Sequence, residues 1–306
     1  MISNLSPSNQ AFLANMDRLQ RGVDEATLQT SSGKRVNVAS DAPDELDIIL
    51  QLRTDEVHNS QIQSNLGVAQ ADADAADSAL SSATQLMDRA TVLATQGANF
   101  TVDATGRQSI ADEVESLLDQ MTAISNTAVQ GRYIFGGDQD GTPPYAVDLT
   151  QPNGVSRLTS SPATSQVENA SGGSFAVSQN AQDIFDARNP DDTLAGDNVF
   201  AALNNLRLGL LANDTTQITA ASASLQTASD HLNTAQAFYG TVENRITDAT
   251  NYSASYDVQL KSELSQKEDA DITTDAMTIT QGNIQIEAAF QMQAKMPQTT
   301  LFDFMG

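Results

Sequence analysis

A mainly α-helical fold with a small β-rich insert is predicted for this chain. Its long helices are expected to pack as an antiparallel, coiled-coil-like rod carrying the β domain at its tip. Three observations predict this. Apolar residues recur in alternating steps of four and three along most of the 306 residues, the rhythm of helices packed along a seam. Between about 132 and 196 the rhythm stops, and short apolar runs alternate with Gly, Pro, Ser, Asn and Asp. The amphipathic segments at the two ends are alike, as two sides of one helical structure should be.

The first helical segment reads Phe12, Met16, Leu19, Val23, Ala26. Asp41 is placed to cap a second helix, with Pro43 and Asp44 in its first turn. That helix is expected to run to about Gln96 along the seam Ile62, Leu66, Ala69, Ala73, Ala76, Leu80, Ala83, Met87, Ala90, Ala94. Thr105 with Gln108 resembles a capping box for a third helix, whose seam is Ile110, Val114, Leu117, Met121, Ile124, Ala128 and whose stop is Gly131. The longest seam starts behind Asp214 and Gln217 and reads Ile218, Ala221, Leu225, Ala228, Leu232, Ala235, Tyr239, Val242, Ile246, Ala249, continuing through Ser253 to Leu260. Glu263 and Lys267 are spaced as an i,i+4 pair. The last seam is expected at Ile272, Ala276, Ile279, Asn283, Ile286, Phe290.

The chain is accordingly divided into an N-terminal assembly segment (1–43), an N-terminal half of the rod (44–131), a β-rich outer domain (132–196), a C-terminal half of the rod (197–265) and a C-terminal assembly segment (266–306). Aromatic residues make up only 5% and Trp is absent. The seams are rich in Ala, so the core must be built by close backbone approach.

Composition removes several functions. A net charge of −24 repels nucleic acid and anionic membrane surfaces. With no Cys, disulfides, thiolate catalysis and Cys-based metal sites are excluded. No apolar run reaches the length of a membrane span. "MISNLSPSNQAFLANMDRLQ" lacks the basic start and apolar block of a signal peptide, so export, if it occurs, is expected by a route that cleaves nothing. Asp72, Asp74 and Asp77 in "DADAAD" flank the seam residues Ala73 and Ala76 and are read as a solvated face. "DQDG" (138–141) has its Gly out of register for a calcium loop and is read as a turn. His58 and His231 form no metal or triad pattern. No catalytic residue, metal or cofactor is expected, and the chain is read as a non-enzyme.

"TSSGKRVNVASDAPDE" (30–45) resembles the N-terminal signature of the bacterial flagellin superfamily, and "EDADITTDAMTITQGNIQIEAAFQMQAKMPQTTLFDFMG" is similar to its C-terminal helix. "ISNTAVQGRYIFGGDQDGTPPY" (124–145), with Gly131, Arg132, Tyr133, Phe135 and Gly136, looks like a stretch of one branch, the hook–filament junction proteins or hook-associated protein 3. The resemblance covers about 1–145 and 215–306. It implies a structural role in the flagellum, in a ring of copies between the preceding hook-associated protein and the first flagellin. It further implies export through the flagellar type III apparatus without signal cleavage, with a cytosolic chaperone. A filament-forming flagellin is the alternative reading, and an adhesin or binding module using 132–196 is a third.

The partner-binding surfaces are expected at the two ends: Phe12, Met16, Leu19, Val23, Gly33, Lys34, Arg35, Asp41 and Pro43 on one side, and Ile279, Ile286, Phe290, Leu301, Phe302 and Phe304 on the other. Two buried seam side chains per heptad give about 1.5–3 kcal/mol each, while ordering each backbone residue costs about 1–2 kcal/mol. A thin helix pair is therefore near balance. The ends are expected to be poorly ordered in the free monomer and to fold inside an assembly, with Lys34 and Arg35 reaching carboxylates on an adjacent subunit.

Overall fold

The computed structural model describes residues 7–295. They fall into two units: a central one, Asn59–Tyr256, and a terminal one formed by Met1–His58 with Asp257–Gly306. Seven helices and six short strands are described: α1 (Pro7–Ser32), α2 (Leu46–Ala98), α3 (Ala104–Ser125), β1 (Ala128–Val129), β2 (Arg132–Tyr133), β3 (Tyr145–Val147), β4 (Val155–Arg157), β5 (Gln166–Glu168), β6 (Ser174–Ala176), α4 (Ala181–Phe185), α5 (Val199–Leu211), α6 (Thr215–Glu268) and α7 (Ile272–Lys295). The fold class is the one expected, long helices with small antiparallel strand pairs.

In the central unit α2 and α6 run antiparallel. Gln236 donates to Asp77 Oδ1 (3.1 Å). Nearer the other end, Asn59 Nδ2 donates to the Ser253 carbonyl (3.0 Å) and Ser253 Oγ donates back to Asn59 Oδ1 (2.6 Å). Every expected seam residue from Ile62 to Ala94 and from Ile218 to Ala249 is buried. The many Ala residues let the backbones approach, and each fully buried Leu, Ile or Met adds about 1.5–3 kcal/mol.

Helices α3 and α5 cover this pair toward the α2–α3 turn. Arg207 of α5 pairs with Glu115 of α3 (3.3 Å). The cap of α3 is Asp103, which accepts from the Gly106 amide (2.8 Å), not Thr105. Asp214 caps α6 as expected, accepting from Thr216 and Gln217. Helix α3 ends at Ser125, not at Gly131. Gly131 instead completes the two-residue turn between β1 and β2, where Gln130 and Gly131 have φ of 52° and 82°. Two successive positive φ values are what a tight type I′ hairpin demands, and a glycine meets one of them without strain.

The strand-rich segment packs on α2 and α6 beyond the end of α3. Arg132 reaches Asp72 of α2 (3.0 Å), the Gln179 amide donates to the Tyr239 hydroxyl of α6 (3.1 Å), and Arg245 of α6 lies over the Phe175 ring (4.5 Å). The end of the pair is already occupied by α3 and α5, so the strands cover the next stretch of apolar helix surface. Their core is aromatic: Phe135 meets Phe185 and Tyr239 edge-on, and Tyr145 and Phe185 pack on Phe200. Beneath it the fully buried Asp186 carboxylate accepts from Tyr145 Oη (3.1 Å), Arg188 Nε (2.8 Å), Asn153 Nδ2 (2.9 Å) and Asn198 Nδ2 (2.7 Å). Three small strand pairs cannot form a large core, and this charged hub ties their loops together.

In the terminal unit α1 lies antiparallel to α7. The Ala270 amide donates to the Gly33 carbonyl (3.0 Å), and Val23 meets Gly282. Val23 and Ala26 are buried, and Phe12, Met16 and Leu19 are half-buried on the same face, as expected. The seam of α7 differs. Asp275 and Gly282 are buried and Ile279 and Ile286 half-buried, whereas Phe290 is 59% exposed. The expected seam shared only Ile279 and Ile286 with the real one. Gly282 wins over Asn283 because only a residue without a side chain lets Val23 in so closely.

Asp41 does not cap α2, which begins at Leu46. Its Oδ2 accepts from the Asn37 and Val38 amides (2.9 Å each), so it stabilises the turn before the helix. Pro43 is exposed in that turn. Lys267 pairs with Glu45 (3.2 Å) and not with Glu263.

Candidate functional site

The paired chain ends form the candidate site. Its centre is Glu268 at the end of α6, whose side chain is 3% exposed and pairs with both Lys34 and Arg53. The Glu268 carbonyl accepts from the Arg35 amide (2.6 Å). Arg35 bridges the Glu45 carboxylate and the Lys267 carbonyl (2.5 Å), and Lys267 closes the ring onto Glu45. The segment after α1 is thereby latched onto the α6–α7 junction. Gly33, at φ 71°, makes the turn that delivers Lys34 to this latch.

Lys34 and Arg35 find carboxylates within their own chain, at Glu268 and Glu45. The latch residues Arg53, Glu45 and Glu268 could not be singled out from sequence, because 215 positions separate Arg53 from Glu268.

The electrostatics follow from the geometry. Burial alone would raise the Glu268 carboxyl, but hydrogen bonds and charge from Lys34 and Arg53 outweigh it and hold the group below its ordinary value. Glu45 is also held low, first by Arg35 and then by Lys267. Opposite these satisfied charges stands Asp275 on the α7 seam, whose Oδ2 is buried with no hydrogen-bond partner among the described residues. An unmatched buried acceptor costs about 1–3 kcal/mol, so the α1–α7 seam carries a built-in weakness.

The outer surface of the unit carries exposed apolar side chains among polar ones. On α7, Met277 and Ile284 are 61% and 63% exposed and project roughly opposite Gly282. Ile272, Phe290 and Met292 are also exposed, as are Leu13 and Leu28 of α1 and Ile48, Leu50, Val57 and Val258 on the flanking parts of α2 and α6. Exposed apolar side chains gathered on thin helices make this a candidate contact surface. Leu301, Phe302 and Phe304 lie outside the described residues.

The Gly131–Gly136 motif sits in the central unit and serves the strand-rich segment. Arg132 is held between Asp72 and Asp140, the Tyr133 amide donates to the Asp140 carbonyl (2.8 Å), and Phe135 and Gly136 are buried. Asp72 and Asp77, expected to face water, bind Arg132 and Gln236. His231 touches Asp197 and the Asp183 carbonyl. Among the described residues no helix is long and apolar enough to cross a membrane.

Comparison with known proteins identifies this arrangement. The bacterial flagellin N-terminal helical region matches residues 2–140, and the bacterial flagellin C-terminal helical region matches residues 213–305. Flagellin of Bacillus subtilis (strain 168) is 27% identical, across 97% of this chain and 93% of that protein. Flagellar hook-associated protein 3 of Escherichia coli (strain K12) is 28% identical, across 58% of this chain and 56% of that protein. Among solved structures, a putative flagellar hook-associated protein from Vibrio parahaemolyticus superposes with a TM-score of 0.64 at 16% identity, covering 75% of this chain and 100% of that one. Flagellar hook associated protein-3 from Legionella pneumophila gives 0.59 at 15% identity, covering 72% and 98%. At these identities the structures speak to the fold. With the N- and C-terminal helical regions of flagellin at its two ends, the chain belongs to the bacterial flagellin family, as a structural component of the flagellum and not an enzyme.

Proposed function

We propose that this protein forms the junction between the hook-associated end of the flagellar hook and the flagellin filament, as a ring of copies. The observation that carries an assembly role is the α1–α7 pair, packed through one narrow seam, with Met277, Ile284, Phe290 and Met292 left exposed on the outer faces of α7. A neighbouring subunit covers those faces and turns a thin pair into a core. The stretch 124–145, with its buried Phe135 and Gly136, and the likeness to the E. coli hook-associated protein favour the junction. Its partners are then other copies of itself, the preceding hook-associated protein and flagellin. Export follows the signal-independent flagellar route, with a cytosolic chaperone shielding the ends.

In this reading, 1–43 and 266–306 order fully only in the assembly, where Phe12, Met16, Leu19, Val23, Ile279, Ile286 and Phe290 gain neighbours. Limited proteolysis of the purified monomer tests it. Both ends should be trimmed first, leaving a core of about 45–265. A monomer resistant through its last residues would sink this part.

The genetic test is deletion. Cells lacking the protein should keep their hooks and release flagellin into the medium. Filaments that stay attached would overturn the junction role. The second reading, a filament-forming flagellin, is favoured by the match across 97% of the chain to the Bacillus protein. Long filaments grown from the purified protein alone would select it.

A further inference from the structure

The strand-rich segment leaves an open groove of about 360 Å³ between its β5–β6 hairpin and α6. Arg245, Asp248, Ala249 and Tyr252 supply the helix wall, and Asn169, Ser171 and Phe175 the hairpin wall. The helix residues follow the spacing of a single face, and about 10 Å of rise separates Arg245 from Tyr252. Ala249 is small and buried between them, so the floor is open there.

The polar groups of the groove are already held in place. The Arg245 guanidinium lies over the Phe175 ring, 4.5 Å from its centroid. Asn169 Oδ1 accepts from the Ser171 amide (3.1 Å), the Ser171 hydroxyl (2.7 Å) and the Gly173 amide (3.0 Å). Those bonds orient the side chain and leave its amide protons as donors. Tyr252 is half exposed and stacks on Tyr256, with ring centroids 6.4 Å apart. Groups fixed before binding lose little freedom on binding.

The chemistry of the walls selects the occupant. Asp248 opposes an anion, as does the net charge of −24, and Arg245 opposes a cation. A purely apolar occupant would take a cation, a carboxylate and an amide out of water with nothing to bond them. One tyrosine face does not offset that. An uncharged polyhydroxyl ring meets every group. Its hydroxyls both donate and accept, so they serve Asp248 as donors and Arg245 and Asn169 as acceptors. Its C–H face lies on the Tyr252 ring. We propose that this groove binds a neutral saccharide, with Tyr252 as the platform and Asp248, Arg245 and Asn169 as the hydroxyl partners. The site goes beyond the structural role and does not depend on it, because all its residues belong to the central unit of one chain.

Saturation-transfer NMR on the full-length protein tests it. Lactose, maltotriose, mannotriose and chitotriose serve as neutral probes, and sialyllactose and glucosamine as an anionic and a cationic one. At least one neutral sugar should receive saturation through its ring C–H protons, with a Kd of about 1 mM or tighter. Tyr252→Ala and Asp248→Ala should each weaken that binding about tenfold. Both side chains are exposed, so the variants should keep the parent Tm. The isosteric Asp248→Asn, which retains an acceptor, should weaken binding less than Asp248→Ala. Silence from every neutral probe, tighter binding of either charged one, or binding that Tyr252→Ala and Asp248→Asn both leave unchanged would overturn the site. Neither result bears on the junction role, which the deletion tests separately.

Discussion

Val23 sits so close to Gly282 that a Cβ at position 282 would lie 2.3 Å from its Cγ2. This contact sets the spacing of α1 and α7. Gly282→Ala gains up to about 1 kcal/mol of helix propensity but forces an overlap that costs about 1–3 kcal/mol. The clash wins, because Val23 is β-branched and held on a helix. Hydrogen exchange in α1 and α7 should accelerate in Gly282→Ala while the central unit is unchanged. Adding Val23→Ala should restore much of the loss, the non-additivity expected of touching residues.

Acid should loosen the terminal unit first. Glu268 and Glu45 are held below the ordinary 4.5, so the folded form binds protons less readily than the unfolded one. Their stabilisation is full above pH 4.5 and is lost as the pH falls through the depressed values. Helix protection around Gly33–Arg53 and Lys267–Ala270 should disappear below that pH before the central seams open. Glu268→Gln should weaken the unit at neutral pH and flatten this acid dependence. An unchanged profile would mean that the latch contributes nothing.

The strand-rich segment should depend on one carboxylate. Asp186→Ala leaves Tyr145, Asn153, Asn198 and a largely buried Arg188 without their common acceptor, and removing one partner of such a buried pair costs about 3–5 kcal/mol. Urea titration should show that loss. Asp186→Asn keeps the shape but cannot neutralise Arg188, and should fall between.

Two of the five tyrosines should resist alkali. Burial pushes Tyr239 up to about 12, and burial together with the Asp186 charge pushes Tyr145 higher still. The unfolded chain releases these protons near pH 10 while the folded one keeps them. Stability is therefore complete below pH 10 and declines as the pH rises through 12. Tyrosinate absorbance should show two rings ionising late and together with unfolding. Tyr239→Phe should remove part of that alkaline loss.

The helical seams were legible because burial repeats locally: Leu66, Met87, Leu225 and Ile246 announce themselves through their spacing alone. The α7 seam was misplaced because Gly282 and Asp275 carry no apolar signal. Their burial follows from Val23 across the pair and from the latch that fixes where α7 begins. Asp41 and Gly131 were recognised as turn chemistry but assigned to helix ends, since a capping residue and a tight-turn residue look alike until the chain's path is known. The Glu268 latch and the Asp186 hub join positions far apart in sequence. No short pattern encodes them, which is why the charged half of the candidate site emerged only from the structure.

The mutual bond of Asn59 and Ser253 bears on how the long helices of the central unit are aligned. Sliding α2 against α6 by even one turn would strand two polar groups in an otherwise greasy layer, so the pair locks in one alignment. Small side chains alone would let such a pair creep, because one alanine layer looks much like the next. With this stop in place the layers from Ile62 to Ala94 and from Ile218 to Ala249 meet in a single register.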